Sequence, residues 1–243
     1  MTIYVQNREL VIPGDLLTDS DFIAGVNTYF RDHKIFASKI GLAEVSENRI
    51  SVVPLKGCYI PQVDDQVIGI IADIGLSGWE VDISAPYPAM LPASEAIRRT
   101  RSDTKPQLSK ILDVGDLIVG KVIAFDRTRD PLLSIRGPGF GRITSGSIIE
   151  ISPTKIPRLI GRKGSMVDMI KKETGSQIMI GQNGVVLISN KNPVYERITI
   201  MAIHKVEKEA HTERLTDRVK EMIRRKKENG NISANSNPGK ADR

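Results

Sequence analysis

The segment Gly137-Pro138-Gly139-Phe140-Gly141 divides this sequence into two parts with different patterns. Three glycines and a proline within five residues cannot continue a strand ladder, so the segment ends whatever sheet precedes it. Before it, short apolar runs separated by turn residues predict β-strands; after it, apolar residues also recur at helical spacing. Because 243 residues exceed one small core, we expect a multidomain chain, all-β at first and α/β afterwards.

The all-β part is predicted to contain two modules. Residues 1–61 alternate short apolar runs with turns such as Ile12-Pro13-Gly14-Asp15, which indicates a small β module. Residues 62–137 hold five longer strand-like stretches, at 66–74, 78–84, 89–92, 117–125 and 132–136. A polar stretch, 94–106, separates the third from the fourth, where a five-stranded OB barrel has its longest connection. The second module is therefore predicted to be an OB barrel.

The α/β part spans residues 142–227. Its pattern predicts a strand at 147–152, a helix at 156–160, a break at 161–164, a helix at 165–174, strands at 177–180 and 185–189, and one helix over 192–227. The tetrapeptide Gly181-Gln182-Asn183-Gly184 suits a tight hairpin, because both Asn183 and Gly184 tolerate positive φ. Residues 228–243 have little to bury and are expected to be disordered.

Positive charge is concentrated in the α/β part. Residues 142–227 carry 18 Lys and Arg against 9 Asp and Glu, a net charge of +9, whereas residues 1–141 carry 15 against 18, a net charge of −3. Such a block favours a phosphate backbone, an anionic membrane or an acidic protein as partner. The charge alone does not choose among the three.

The order of elements in residues 142–227 resembles a KH domain, and Leu159-Ile160-Gly161-Arg162-Lys163-Gly164-Ser165 resembles the central motif of that family. Two glycines let a sugar–phosphate strand approach the backbone, the following helix offers its N-terminal amides, and two cations lie between them. The candidate RNA-binding residues are Ile160, Gly161, Arg162, Lys163, Gly164 and Ser165. Bases would lie in an aliphatic groove beside them, lined by residues such as Ile160, Met166 and Ile178. The alternatives are a plain helix–helix turn and a hydrophobic core.

Residues 61–136 resemble the OB-fold RNA-binding domain that is repeated in a large ribosomal small-subunit protein, through Val67-Ile68-Gly69-Ile70-Ile71, Trp79-Glu80-Val81-Asp82-Ile83 and Val114-Gly115-Asp116-Leu117. The aromatic residues that family offers to bases are scarce here. Trp79 is interpreted either as a base contact or as core. The further candidates are cations that would track an RNA backbone: Arg98, Arg99, Arg101, Lys121, Arg127, Arg129 and Arg136. The arginines at 98–101 are equally interpreted as part of a solvated loop.

The full succession of modules, with the join Tyr59-Ile60-Pro61, resembles the RNA-binding cap subunits of the archaeal exosome. The resemblance implies that Gly181, Asn183 and Gly184 serve the contact between the barrel and the KH domain. It further implies a non-catalytic, cytoplasmic subunit that binds single-stranded RNA. Three copies would sit on a hexameric ring of phosphorolytic exoribonuclease subunits and lead the 3′ end into its pore. The alternative is an RNA-binding factor of translation or ribosome assembly.

The residues themselves argue against catalysis. No Gly-x-x-x-x-Gly-Lys-Ser/Thr, His-Glu-x-x-His or Gly-x-Ser-x-Gly motif occurs, and adjacent acids such as Asp64-Asp65 are typical of solvated turns. We therefore expect no metal and no cofactor. The single cysteine, Cys58, lies among apolar and proline residues and is expected to be buried and inert. The sequence also lacks any apolar run long enough to span a membrane.

Overall fold

The structure is a computed structural model. It describes side chains as far as residue 228 and the backbone of residues 2–19, 22–55, 57–96, 108–126, 128–210, 212 and 214–235. The chain forms two compact units, Met1–Gly57 and Cys58–Arg243. An all-β unit is followed by a closed β-barrel and an α/β domain, which confirms the predicted fold class. None of the described helices is long and apolar enough to cross a membrane.

The first unit is built from seven short strands: β1 (Leu10–Val11), β2 (Leu16–Thr18), β3 (Ile23–Ala24), β4 (Thr28–Arg31), β5 (Lys34–Ala37), β6 (Gly41–Ser46) and β7 (Arg49–Pro54). They form two sheets, ordered β1-β6-β7-β3 and β2-β5-β4. Alternating burial along β5 to β7 directs every second side chain into one core, which includes Leu17, Ile35, Ile50 and Val52.

The barrel follows in the second unit, with strands β8 (Gln66–Ile74), β9 (Gly78–Asp82), β10 (Ala89–Pro92), β11 (Leu117–Asp126) and β12 (Arg129–Ser134) and helix α1 (Ala93–Ala96). Its strand order is β12-β10-β9-β8-β11, and an additional pairing of β12 with β11 closes it. The one parallel pair within it joins β10 to β12. These five strands match the predicted five to within three residues at each end.

Tyr59 lies in the barrel core, so the first unit ends at Gly57 and the join belongs with the barrel. Its neighbour Cys58 is exposed, and the prediction of a buried thiol is wrong. Burial alternates along this connection, with Tyr59 and Pro61 buried and Cys58 and Ile60 exposed.

The α/β domain begins after β13 (Gly141–Arg142), and its elements are β14 (Ser147–Glu150), α2 (Ile156–Ile160), α3 (Ser165–Thr174), β15 (Gln177–Ile180), β16 (Val185–Ser189), α4 (Pro193–Lys208) and α5 (Leu215–Asn235). Its antiparallel sheet has the order β14-β16-β15. The helices share a core with one face of this sheet that includes Ile156, Leu159, Ile170, Ile188, Val206 and Ile223. The opposite face packs on the barrel, where Val185 meets Ile68 and Val119.

The C-terminal helix differs from its prediction in two ways. A single helix over 192–227 is wrong, because α4 ends at Lys208 and α5 begins at Leu215. The Glu209 carboxylate accepts from both Lys205 and Arg218, which holds α5 folded back against α4. The second helix also continues to Asn235, past the predicted end at residue 227, and the disorder expected for residues 228–243 stays a prediction. Residues 236–243 lie outside the described part of the chain.

Candidate nucleic-acid interface

The turn between α2 and α3 has a backbone that requires its glycines. Gly161 has φ 76° and ψ 176°, and Gly164 has φ 83°. A Cβ atom added to Gly161 would lie 2.8 Å from the backbone nitrogen of Met166, closer than real Cβ contacts allow. Lys163 also has positive φ, at 53°. The motif is therefore a compact, bare stretch of backbone rather than a continuous helix.

Two exposed cations stand on this turn. Within the described part of the chain, neither Arg162 nor Lys163 forms an ion pair or a side-chain hydrogen bond. The N-cap of α3 is Gly164, which has no side chain to occupy the first amides of this ten-residue helix, and Ser165 is exposed beside it. The Gly164 and Ser165 amides donate to the carbonyls of Gly161 and Arg162, so it is the helix N-terminus and the two unpaired cations that together favour a phosphate group.

Two of the three aliphatic residues predicted to line a groove beside the turn are core residues, as the alternative interpretation has it. Met166 is 4% exposed and Ile178 is 6% exposed, and both belong to the core of the domain. Ile160 alone is half-buried at the end of α2. The two buried side chains face inward because α3 and β15 pack their apolar sides against the same core.

Trp79 is core, and its assignment as an RNA contact is wrong. Its side chain is fully buried in the barrel, and its indole nitrogen donates to the carbonyl of Leu112 at 2.9 Å. Burial of the ring and satisfaction of its only donor leave nothing to offer a base. The candidates Arg98, Arg99, Arg101 and Arg127 lie outside the described residues.

The other three barrel cations differ in their surroundings. Lys121 is 2.7 Å from Asp64, and Arg136 is 3.6 Å from Glu95. Arg129 is 73% exposed and lies 3.9 Å from Asp126, the weakest of the three pairs. In the register of β11 and β12, Lys121 lies opposite Ser134 and Asp126 lies opposite Arg129. The position of Arg129 along the hairpin is therefore about 16 Å from that of Lys121. The three do not form one cluster.

The turn at residues 181–184 connects the two parts of the second unit. Asn183 is 3% exposed. Its amide nitrogen donates to the carbonyls of Ile68 at 2.7 Å and Ile83 at 2.9 Å, and its oxygen accepts from the Ile68 amide at 3.3 Å. Gly184 has φ 92°, whereas Asn183 does not take positive φ. A Cβ at Gly181 would lie 2.3 Å from the Asn183 side-chain oxygen, so glycine leaves room for that side chain.

One contributor to this contact was missed. Gln66 donates its side-chain amide to the carbonyl of Ile180 at 3.3 Å, and its own carbonyl accepts from the Gln182 amide at 2.8 Å. A glutamine at the start of a strand carries no sequence signal for such a role. The role of Asn183 was instead implied by the resemblance of its tetrapeptide to one that recurs in exosome cap subunits.

Within the described residues there is no group of three or more His, Cys, Asp or Glu side chains that could hold a metal ion.

Three family models match the chain in succession. An exosome RNA-binding protein RRP4 N-terminal domain matches residues 8–56, the RRP4 S1 domain matches residues 58–124, and a KH domain matches residues 147–201.

Similar proteins cover nearly the whole chain. The exosome complex component Rrp4 of Thermococcus kodakarensis is 46% identical over 223 residues, which are 91% of this chain and 87% of that protein. The exosome complex component Rrp4 of Thermofilum pendens is 42% identical over 226 residues, which are 92% of this chain and 95% of that protein. A crystal structure assigned to an exosome complex RNA-binding protein is 40% identical, with a TM-score of 0.67, and covers 72% of this chain and 99% of that one.

Proposed function

This chain belongs to the Rrp4 family of exosome components, and on that premise we propose that it is a non-catalytic subunit that captures single-stranded RNA. It delivers the 3′ end of that RNA to the exoribonuclease with which it assembles. The exosome RNA-binding components to which it is similar support this role over that of a translation or ribosome-assembly factor.

The observation that carries the proposal is the Gly161–Gly164 turn, with its two unpaired cations ahead of the α3 amides. A phosphate at this position meets Arg162, Lys163 and the helix N-terminus at once. Ile160 and Ser165 flank it. Arg129 supplies a further exposed cation on the barrel, and Lys121 and Arg136 would contribute after exchanging an acidic partner for a phosphate. Four further arginines stay candidates because cations can track an RNA backbone: Arg98, Arg99, Arg101 and Arg127.

We propose for this chain the partners that its resemblance to exosome cap subunits implies. Three copies of the chain would cap a hexameric ring of phosphorolytic exoribonuclease subunits in the cytoplasm, with the N-terminal β module, predicted at residues 1–61, as the anchor and the barrel and KH domain facing the RNA. Holding one RNA at two linked sites raises its local concentration at the second site, so modest sites together bind tightly. The Asn183 turn supports this, because it joins barrel and KH domain through buried hydrogen bonds.

The first test changes the charge of the turn. We expect Arg162→Asp/Lys163→Asp to weaken binding of single-stranded RNA and to reduce the slope of log K against log salt by about 0.7 per lost phosphate contact. The matched control is Lys191→Asp/Arg197→Asp, which alters by the same net charge two exposed cations of the same domain that form no ion pair with any described residue. If both double variants change the slope equally, net charge rather than the turn binds RNA.

The second test identifies the partner. The tagged full chain should recover phosphorolytic exoribonuclease subunits from its native lysate, and the purified chain alone should not degrade RNA. Recovery of ribosomal proteins without exoribonuclease subunits would support the translation-factor reading and contradict the proposal.

A further inference from the structure

A contacting pair of aromatic rings, of which Tyr87 is exposed and Phe125 is half-buried against the barrel core, lies at one end of the barrel. Tyr87, in the connection between β9 and β10, and Phe125, near the end of β11, have ring centroids 5.5 Å apart at an interplanar angle of 53°. Tyr87 is 44% exposed, and no hydrogen bond of its hydroxyl is formed within the described residues. The pair therefore presents a ring face and a free polar edge to solvent.

The rings line a cavity of about 560 Å³ that three separate segments form. Ile60 enters from the join before β8, and Asp126, Arg129 and Asp130 enter from the turn between β11 and β12. The volume lies within the range of about 300 to 1,000 Å³ that is common for small-molecule sites. Apolar walls with a few polar groups at the rim are the usual composition of such a site.

The polar rim decides which part of a nucleotide fits. Asp126 accepts hydrogen bonds from the Thr128 hydroxyl at 2.6 Å and from the Thr128 amide at 2.7 Å. The Thr128 hydroxyl bond, more than any other contact, holds the pKa of the Asp126 carboxyl below its usual value. Asp130 is also exposed beside it, so the rim offers two carboxylates that can accept hydrogen bonds from base amino groups. Arg129, 73% exposed, remains available to a neighbouring phosphate.

We propose that the Tyr87–Phe125 cavity holds one nucleobase of the bound single-stranded RNA, stacked on the exposed aromatic face. Stacked bases lie about 3.4 Å apart, so two tilted rings 5.5 Å apart cannot admit a base between them. The base lies against the outer face of the pair, with its amino edge toward Asp126 and Asp130. This inference rests on the proposed RNA-binding function and assigns the base-stacking role that buried Trp79 does not perform.

The test uses the full chain with two probes of equal length, a single-stranded RNA and an abasic oligonucleotide with the same backbone. Tyr87→Leu and Phe125→Leu, which remove a ring but keep an apolar side chain, should each weaken binding of the base-bearing RNA by about 5- to 150-fold. Binding of the abasic probe and the salt slope should stay unchanged. Tyr87→Phe, which restores the ring, should recover most of the affinity.

The matched control is Phe30→Leu, which removes a 60% exposed aromatic ring from the first unit. Fluorescence of the single Trp79, in the barrel core, verifies that each variant is folded. Folded variants that bind the base-bearing RNA like the wild type, or that lose both probes equally, would overturn the stacking site. A folded variant that still binds RNA but no longer recovers exoribonuclease subunits from the lysate would also overturn it, because the cavity would then be a protein contact. If the wild type binds neither probe, the proposed function itself fails.

Discussion

Replacing Asn183 by alanine is expected to lower the free energy of unfolding of residues 58–243 by about 3 kcal/mol. The side chain makes three buried hydrogen bonds to the barrel backbone, at 2.7, 2.9 and 3.3 Å, and each contributes about 1 kcal/mol net. In a unit of this size, about 3 kcal/mol corresponds to a fall in melting temperature of roughly 6–12 °C. Trp79 fluorescence reports the transition from within the barrel.

Asn183→Asp sharpens the test because it changes almost no volume. The aspartate loses both donated bonds and places its oxygens against the carbonyls of Ile68 and Ile83. Burial among acceptors raises the pKa of this carboxyl above its unfolded value of about 3.9. A raised folded pKa means that the destabilisation relative to the wild type is smallest below about pH 4 and grows as the pH rises through the folded pKa.

Asn192→Asp is the matched control, because Asn192 caps α4 by accepting from the Val194 amide and aspartate caps equally well. This variant should stay within about 0.5 kcal/mol of the wild type. If Asn183→Ala melts with the wild type, or if Asn183→Asp follows the pH profile of the control, the turn does not hold the barrel and KH domain together.

Two further predictions concern single positions. Gly161→Ala should destabilise the KH domain in urea unfolding and weaken RNA binding, because its Cβ would meet the Met166 backbone. The control is Gly175→Ala, where φ is 67° and the space around the Cβ is open. This control should lower the free energy of unfolding by only about 1 kcal/mol and leave RNA binding intact. Equal effects of the two would show that strain rather than space matters at Gly161. Tyr59→Phe should lower stability by about 2 kcal/mol, since the buried hydroxyl, whose pKa burial and Asp65 raise, donates to Asp65 at 2.6 Å. No change in the urea midpoint of Tyr59→Phe would mean that this hydrogen bond does not help to anchor the join.

Local patterns predicted much of the architecture. Helices α2 and α3 and strands β8, β10, β15 and β16 begin and end where their apolar periods and flanking glycines indicated. The break at 161–164 was predictable for the same reason, because two glycines and a polar pair interrupt a helix whatever surrounds them. The gap between α4 and α5 was not, since helical spacing continues across it and an ion pair of Glu209 with Arg218, formed only on folding, bends the chain back.

The sequence by itself therefore determined the order of the elements and the position of the turn with Arg162 and Lys163, because helix breaks, strand alternation and exposed cations depend on neighbours along the chain. Only the tertiary structure decided that Trp79 faces the core, that Asn183 bonds a strand 115 residues away, and that Tyr87 meets Phe125 over a cavity. Each of these depends on which distant residues the closed barrel brings together. Alternation along a strand predicts which face of the sheet a side chain lies on. Sheet order and domain packing decide which residues it contacts there.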